Sequence, residues 1–133
     1  MSLDENLKKA QGDITIAVVD DELSVLEVLD IQLSDLGYNV LPYLSGKEII
    51  DDFSNGKTAD LIILDIFMPE YTGKRVYREL REMGVTSKFL LNTGYLNDEV
   101  RDLLVNNNVF FMSKPVTYLE LSNFVYAALN SNS

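Results

Sequence analysis

Short apolar runs alternate along this chain with longer segments of helical periodicity, and that alternation limits the fold more than any other feature. "ITIAVV" (14–19), "DLIILDI" (60–66), "SKFLLNT" (87–93) and "VFFM" (109–112) read as strands buried on both faces. "YNVLPYL" (38–44) reads as a fifth strand, and Pro42 assigns it to an edge, because proline cannot donate to a second neighbour. Between the strands, Leu23, Leu26, Leu29, Leu33 and Leu36 recur at three- and four-residue steps, with Gly37 where a helix end favours a left-handed residue. Residues 45–56 form a short helix with Ser45 as N-cap and Gly56 as stop. Residues 73–83 form another, with Val76, Leu80 and Met83 inward. The segment 96–108, capped near Asn97, turns Val100, Leu103 and Leu104 inward, and 117–130 does so with Leu121, Phe124, Val125, Ala128 and Leu129. Five strand–helix units demand parallel pairing, and a parallel sheet must be covered on both faces. The predicted architecture is an α/β, doubly wound, five-stranded parallel sheet with five helices. Such sheets carry their sites beyond the carboxyl ends of the strands.

The 133 residues suit one domain, and 47% hydrophobic residues supply a core. Residues 1–12, polar and without periodicity, read as a flexible tail; 13–130 form the domain and 131–133 a short C-terminal tail. There is no cysteine, hence no disulfide and no thiolate nucleophile. There is no histidine either, which removes the commonest general base and metal ligand. A net charge of −10 argues against direct nucleic-acid binding, which needs clustered cations. No run approaches a membrane span, and no signal-peptide pattern opens the chain, so the expected location is cytoplasmic.

The residues ending the strands are the informative ones. Strand one ends at Asp20 and Asp21, strand three at Asp65, strand four at Thr93 followed by Gly94, strand five at Ser113, Lys114 and Pro115. Singly, each has an ordinary explanation: a helix cap, a turn former, a lysine reaching to water. In a parallel sheet they share one edge. Three carboxylates there repel one another and call for a cation, and a donor set of hard oxygens without nitrogen or sulfur suits Mg²⁺. A carboxylate beside Mg²⁺ is able to attack phosphorus, with Lys114 balancing charge, Thr93 donating to a phosphoryl oxygen, and Gly94 leaving its N–H approachable.

"VVDDE", "LIILDIFMPEYTG", "NTG" and "SKP", in this order and spacing, resemble the receiver domain of two-component response regulators, across roughly residues 13–130. The resemblance implies a flavodoxin-like fold with strand order 2-1-3-4-5. It implies that Asp65 accepts a phosphoryl group from a histidine kinase or histidine phosphotransfer protein, so that the chain is a phosphoprotein switch in a phosphorelay and not a turnover enzyme. Asp21 and Asp65, with the carbonyl of Phe67, would bind Mg²⁺ directly, and Asp20 through water. Thr93 would be the switch hydroxyl, Lys114 the phosphoryl-contacting lysine, and Lys114–Pro115 a cis peptide. Phe111 stands where the family carries its switch aromatic; as phenylalanine it has no hydroxyl with which to report the switched state. The neighbouring Phe110 leaves two candidates for that place. Phe67 and Tyr95 occupy positions that set phosphoryl lifetime in this family; both are bulky and neither orients water, so slow self-dephosphorylation is expected. The face of the fourth helix, fifth strand and fifth helix would signal to an output partner or domain, and a homodimer through it is one arrangement the family allows.

Two other readings compete. A receiver-like interaction module would take no phosphate, against which stand the intact Asp20, Asp21, Asp65, Thr93 and Lys114. An aspartate-nucleophile phosphatase needs a second acid two residues after the nucleophile, where this chain has Phe67.

Overall fold

In the computed structural model, which describes residues 11–94, 96–107 and 109–131, five parallel strands form one sheet in the order β2-β1-β3-β4-β5. The strands are β1 (Thr15–Val19), β2 (Asn39–Tyr43), β3 (Leu61–Leu64), β4 (Lys88–Thr93) and β5 (Phe110–Ser113). The helices are α1 (Leu23–Asp35), α2 (Gly46–Ser54), α3 (Gly73–Glu82), α4 (Asp98–Asn107) and α5 (Tyr118–Leu129). This is the flavodoxin-like order the resemblance implies. Pro42 lies on edge strand β2, opposite Val18. No described helix is long and apolar enough to cross a membrane.

The pleat divides the core in two. Ala17, Val19, Ile62, Leu64, Phe89 and Leu91 face α2, α3 and α4, whose Ile49, Phe53, Val76, Leu80, Val100 and Leu103 complete one cluster. Ile16, Val18, Leu61, Ile63, Leu90 and Met112 face α1 and α5, meeting Leu26, Leu29, Leu33, Leu121, Val125 and Ala128. All four residues of β3 are buried, and each such aliphatic side chain contributes about 1.5–3 kcal/mol on burial.

Local chemistry fixes the boundaries. Ser45 accepts from the Glu48 N–H at 3.2 Å, and Asn97 from the Val100 N–H at 2.9 Å. Thr117 and Glu120 form a reciprocal capping box at the start of α5. Gly37 and Gly56 have φ of 99° and 103°, the left-handed stops their positions predict.

Several inward assignments need correction. Leu23, Met83 and Phe124 are 55%, 41% and 38% exposed. Leu23 opens α1 and Met83 lies just past the end of α3, where the sheet no longer covers a helix, while Phe124 sits at the margin of the α5 stripe. Tyr77 is buried on α3 instead, edge-on to Phe89 with ring centroids 4.8 Å apart. The tail expected over 1–12 is ordered at its end: Gln11–Asp13 make a 3₁₀ turn, and the Asn39 amide donates to the Gly12 carbonyl at 2.7 Å. Residues 1–10 and 132–133 lie outside the described residues.

Candidate functional site

Strand register brings the carboxyl ends of β1, β3, β4 and β5 to one edge. Val19 pairs with Leu64, Leu64 with Leu91, and Thr93 with Ser113. The backbone ladder continues one step beyond the strands. The Asp20 N–H donates to Tyr43 at 3.1 Å, that of Asp65 to Val19 at 3.0 Å, and that of Lys114 to Thr93 at 2.8 Å. Each chemistry-bearing residue is thus held by its main chain before its side chain makes any contact.

The side chains then converge. One carboxylate oxygen from each of Asp20, Asp21 and Asp65 lies within 4.8 Å of the other two. Asp20 and Asp65 are 1% and 5% exposed, while Asp21 is open to solvent. The Lys114 ammonium reaches both buried acids, at 2.8 Å from Asp20 Oδ2 and 3.3 Å from Asp65 Oδ2. The remaining oxygens accept from the main chain: Asp20 Oδ1 from the Glu22 N–H at 2.9 Å and Asp65 Oδ1 from the Phe67 N–H at 3.2 Å. Glu22, the N-cap residue of α1, makes no side-chain cap. The capping explanation of the Asp20–Asp21 pair therefore accounts for one oxygen of one residue.

Burial pushes the Asp65 carboxyl up from 3.8 to about 6; Lys114 opposes this, and the Asp20 charge adds to it. For Lys114, burial works against the charge, but the Asp20 hydrogen bond and the Asp65 and Asp20 charges outweigh it and raise its pKa. One ammonium thus offsets part of the repulsion among three acids. The all-oxygen donor set on the remaining side fits a hard divalent cation.

Thr93 is fully buried, and its hydroxyl has no hydrogen-bond partner among the described residues. A buried hydroxyl left so costs roughly 1–3 kcal/mol, so the site holds an unmet polar group at its wall. Phe111 pairs in register with Leu91 and packs in the same cluster, on the face that Thr93 shares by strand alternation. Phe110 packs on the opposite face. Of the two candidates, Phe111 is therefore the ring on Thr93's side. Phe67 is half-buried against the same cluster. The Lys114–Pro115 peptide is cis, as expected. Tyr95 lies outside the described residues.

Two contributors escaped sequence reasoning. A Cβ on Gly73 would lie 2.7 Å from Ile66 Cα and 2.8 Å from the Asp65 carbonyl oxygen, so α3 approaches the site loop as closely as glycine alone permits. The glycine was visible as a helix start, but its contact was not. Asn92, 2% exposed, also has a side-chain oxygen without a partner among the described residues, and it lines a cavity of about 330 Å³ beside α1 and Pro115. In the sequence it stands only as the first residue of "NTG", where no role marks its side chain.

Residues 16–126 match the family described as the response regulator receiver domain. Two-component response regulator 24 of Arabidopsis thaliana is 30% identical over 118 residues, covering 88% of this chain and 85% of that protein. The sensor kinase CckA of Brucella abortus (strain 2308) is 30% identical over 123 residues, 91% of this chain but 13% of that protein. Several further relatives are spanned over a little under half their length. A response regulator receiver domain protein from Clostridium thermocellum superposes with a TM-score of 0.78 at 27% identity, covering 88% of this chain and 94% of that one.

Proposed function

Because this chain belongs to the response regulator receiver domain family, we propose that Asp65 accepts a phosphoryl group and that the sheet edge around it is built for that transfer. The observation that carries this reading is the Lys114 ammonium reaching two buried carboxylates, Asp20 and Asp65, beside a third, Asp21. A structural lysine needs one partner. A lysine between two acids, one with its pKa lifted, leaves both poised for further positive charge.

Asp20, Asp21 and Asp65, with the Phe67 carbonyl, would hold Mg²⁺, the small oxygen-seeking cation that suits this donor set. When bound, that ion would neutralise charge on the phosphoryl oxygens. The chain's own groups do the rest. The Phe67 N–H fixes one oxygen of Asp65 and so sets the direction of the other. That oxygen attacks phosphorus as the P–N bond of a phosphohistidine breaks, and the imidazole of the donor leaves. Because the chain has no histidine, the phosphohistidine belongs to another protein; membership of the receiver family makes that donor a histidine kinase or histidine phosphotransfer protein, and a cytoplasmic location suits such a partner. Lys114 moves its hydrogen bonding from carboxylate to phosphoryl oxygen. The free Thr93 hydroxyl donates to another phosphoryl oxygen, and Phe111 fills the space Thr93 vacates.

The readout is the face of α4, β5 and α5, whose helices carry Val105 and Leu119 at 81% and 68% exposure. An output partner or a second copy would read it. Phe67 offers no acid or amide to orient water, and the same holds for Tyr95, so the acyl phosphate decays slowly and the protein is a switch without turnover. The phosphatase alternative lacks its second acid for the same reason.

Incubation with a small phosphoimidazole donor and Mg²⁺ tests the reading chemically. The label should be removed by hydroxylamine, as an acyl phosphate is, and should persist for minutes or longer in its absence. A label stable to hydroxylamine would be an ester on a hydroxyl and would overturn the assignment.

A further inference from the structure

Helix α3 departs from the charge of the rest of the chain. The molecule carries −10 overall, yet Lys74, Arg75, Arg78 and Arg81, four of its 11 basic residues, fall within the ten residues of α3. Arg75 is neutralised by Glu79 at 2.6 Å. The other three, with Tyr77, Glu82 and Leu103 of α4, line a groove of about 400 Å³ between α3 and α4.

The three cations differ in state. Lys74 and Arg78 form no ion pair or hydrogen bond among the described residues. Arg81 is held in place. Its Nη1 donates to the Val85 and Ser87 carbonyls, both at 2.8 Å, and its guanidinium lies 5.1 Å and 4.8 Å from the centroids of the Tyr77 and Phe89 rings. Its Nη2 has no partner among the described residues. With Nε also donating to the Tyr77 hydroxyl at 3.4 Å, the guanidinium is held by two of its nitrogens and presents Nη2 alone, a fixed single donor for one carboxylate oxygen. Positions 74, 78 and 81 follow i, i+4, i+7, so the charges run about 10 Å along one helix face. Such a line does not match a single phosphate, which needs cations converging on a point. It matches a row of carboxylates, with the buried Tyr77 and Leu103 as an apolar floor beneath.

We infer that the α3–α4 groove docks an acidic segment of a protein partner, one that presents carboxylates at helical spacing over Lys74, Arg78 and Arg81 and none over Glu82. Charge complementarity selects the partner. An acidic segment is repelled by the rest of this surface and attracted at this groove, so the same charges give both position and selectivity. The groove shares no lining residue with the carboxylate site, and the inference does not depend on phosphoryl transfer.

The test is an amide chemical-shift titration of the full chain with a capped synthetic helical peptide carrying Glu at i, i+4 and i+7 above Leu. Saturable shifts should be confined to residues 74–82 and the neighbourhood of Leu103, and should weaken with salt. Lys74→Gln/Arg78→Gln should bind about tenfold more weakly, while Lys47→Gln/Lys57→Gln on the α2 side should bind unchanged. Shifts spread evenly over the surface, or equal binding of a peptide with Lys in place of Glu, would overturn the inference. So would tighter binding of an oligonucleotide at the same residues, or a dimer of the chain alone that the double variant abolishes. The shift map of the unmodified chain decides the matter even if a variant folds poorly.

Discussion

Asp65 sits 5% exposed with its pKa raised by burial to about 6 from 3.8, and that displacement is a statement about stability. Between these two values the folded protein keeps a proton that the unfolded chain has lost. The stabilisation from this group is therefore complete below about pH 3.8 and disappears as pH rises through about 6. Asp65→Asn, similar in shape and without charge, should match the metal-free wild type near pH 4 and exceed it by roughly 2–3 kcal/mol at pH 7. Denaturant melts of both proteins at the two pH values in a chelator check this; a gap that shrinks with rising pH would mean that Lys114 outweighs burial. Thr93→Val removes an unpartnered polar group and should leave stability unchanged or raise it by up to about 1 kcal/mol, measured by the same melts.

Elements set where these residues stand, and α3 does so most tightly. The Gly73 N–H donates to the Ile66 carbonyl at 2.9 Å, and no Cβ fits between that helix start and the Asp65 main chain. Gly73→Ala should cost about 1–3 kcal/mol and displace the Asp65 loop, so that cation binding falls together with the melting temperature. A stable Gly73→Ala protein with unchanged cation affinity would refute the coupling. Strand runs such as "LIIL" were legible because burial on both faces leaves no polar alternation, and Ser45, Asn97, Gly37 and Gly56 because capping and left-handed turns restrict residue choice. The strand-end set Asp20, Asp21, Asp65 and Lys114 was legible because parallel topology gathers what lies far apart in sequence. Leu23, Met83 and Phe124 were misplaced, since helical spacing gives the direction of a stripe but not where the sheet beneath it ends. The unpartnered side chains of Asn92 and Thr93 and the close approach at Gly73 depend on atoms from other elements, which no local pattern records.

Across the whole chain, 21 acidic residues against 11 basic ones leave a net charge of −10, and three of the acids meet at one site, two of them buried. A divalent cation that binds this cluster only when folded should stabilise the protein, by about 1.4 kcal/mol at ten times its dissociation constant. Mg²⁺ should therefore raise the melting temperature by several degrees, and Asp21→Ala, at the exposed member of the cluster, should remove most of that rise. An equal rise in the variant would assign the effect to general screening of charge.

We propose a single strand-end carboxylate, Asp65, as the acceptor. Peptide mapping by mass spectrometry, after incubation with a small phosphodonor and Mg²⁺, decides whether it is. The label should be a single phosphoryl group on the peptide containing Asp65, dependent on the cation and absent from Asp65→Asn. A label on any other residue, or undiminished labelling of Asp65→Asn, would contradict it.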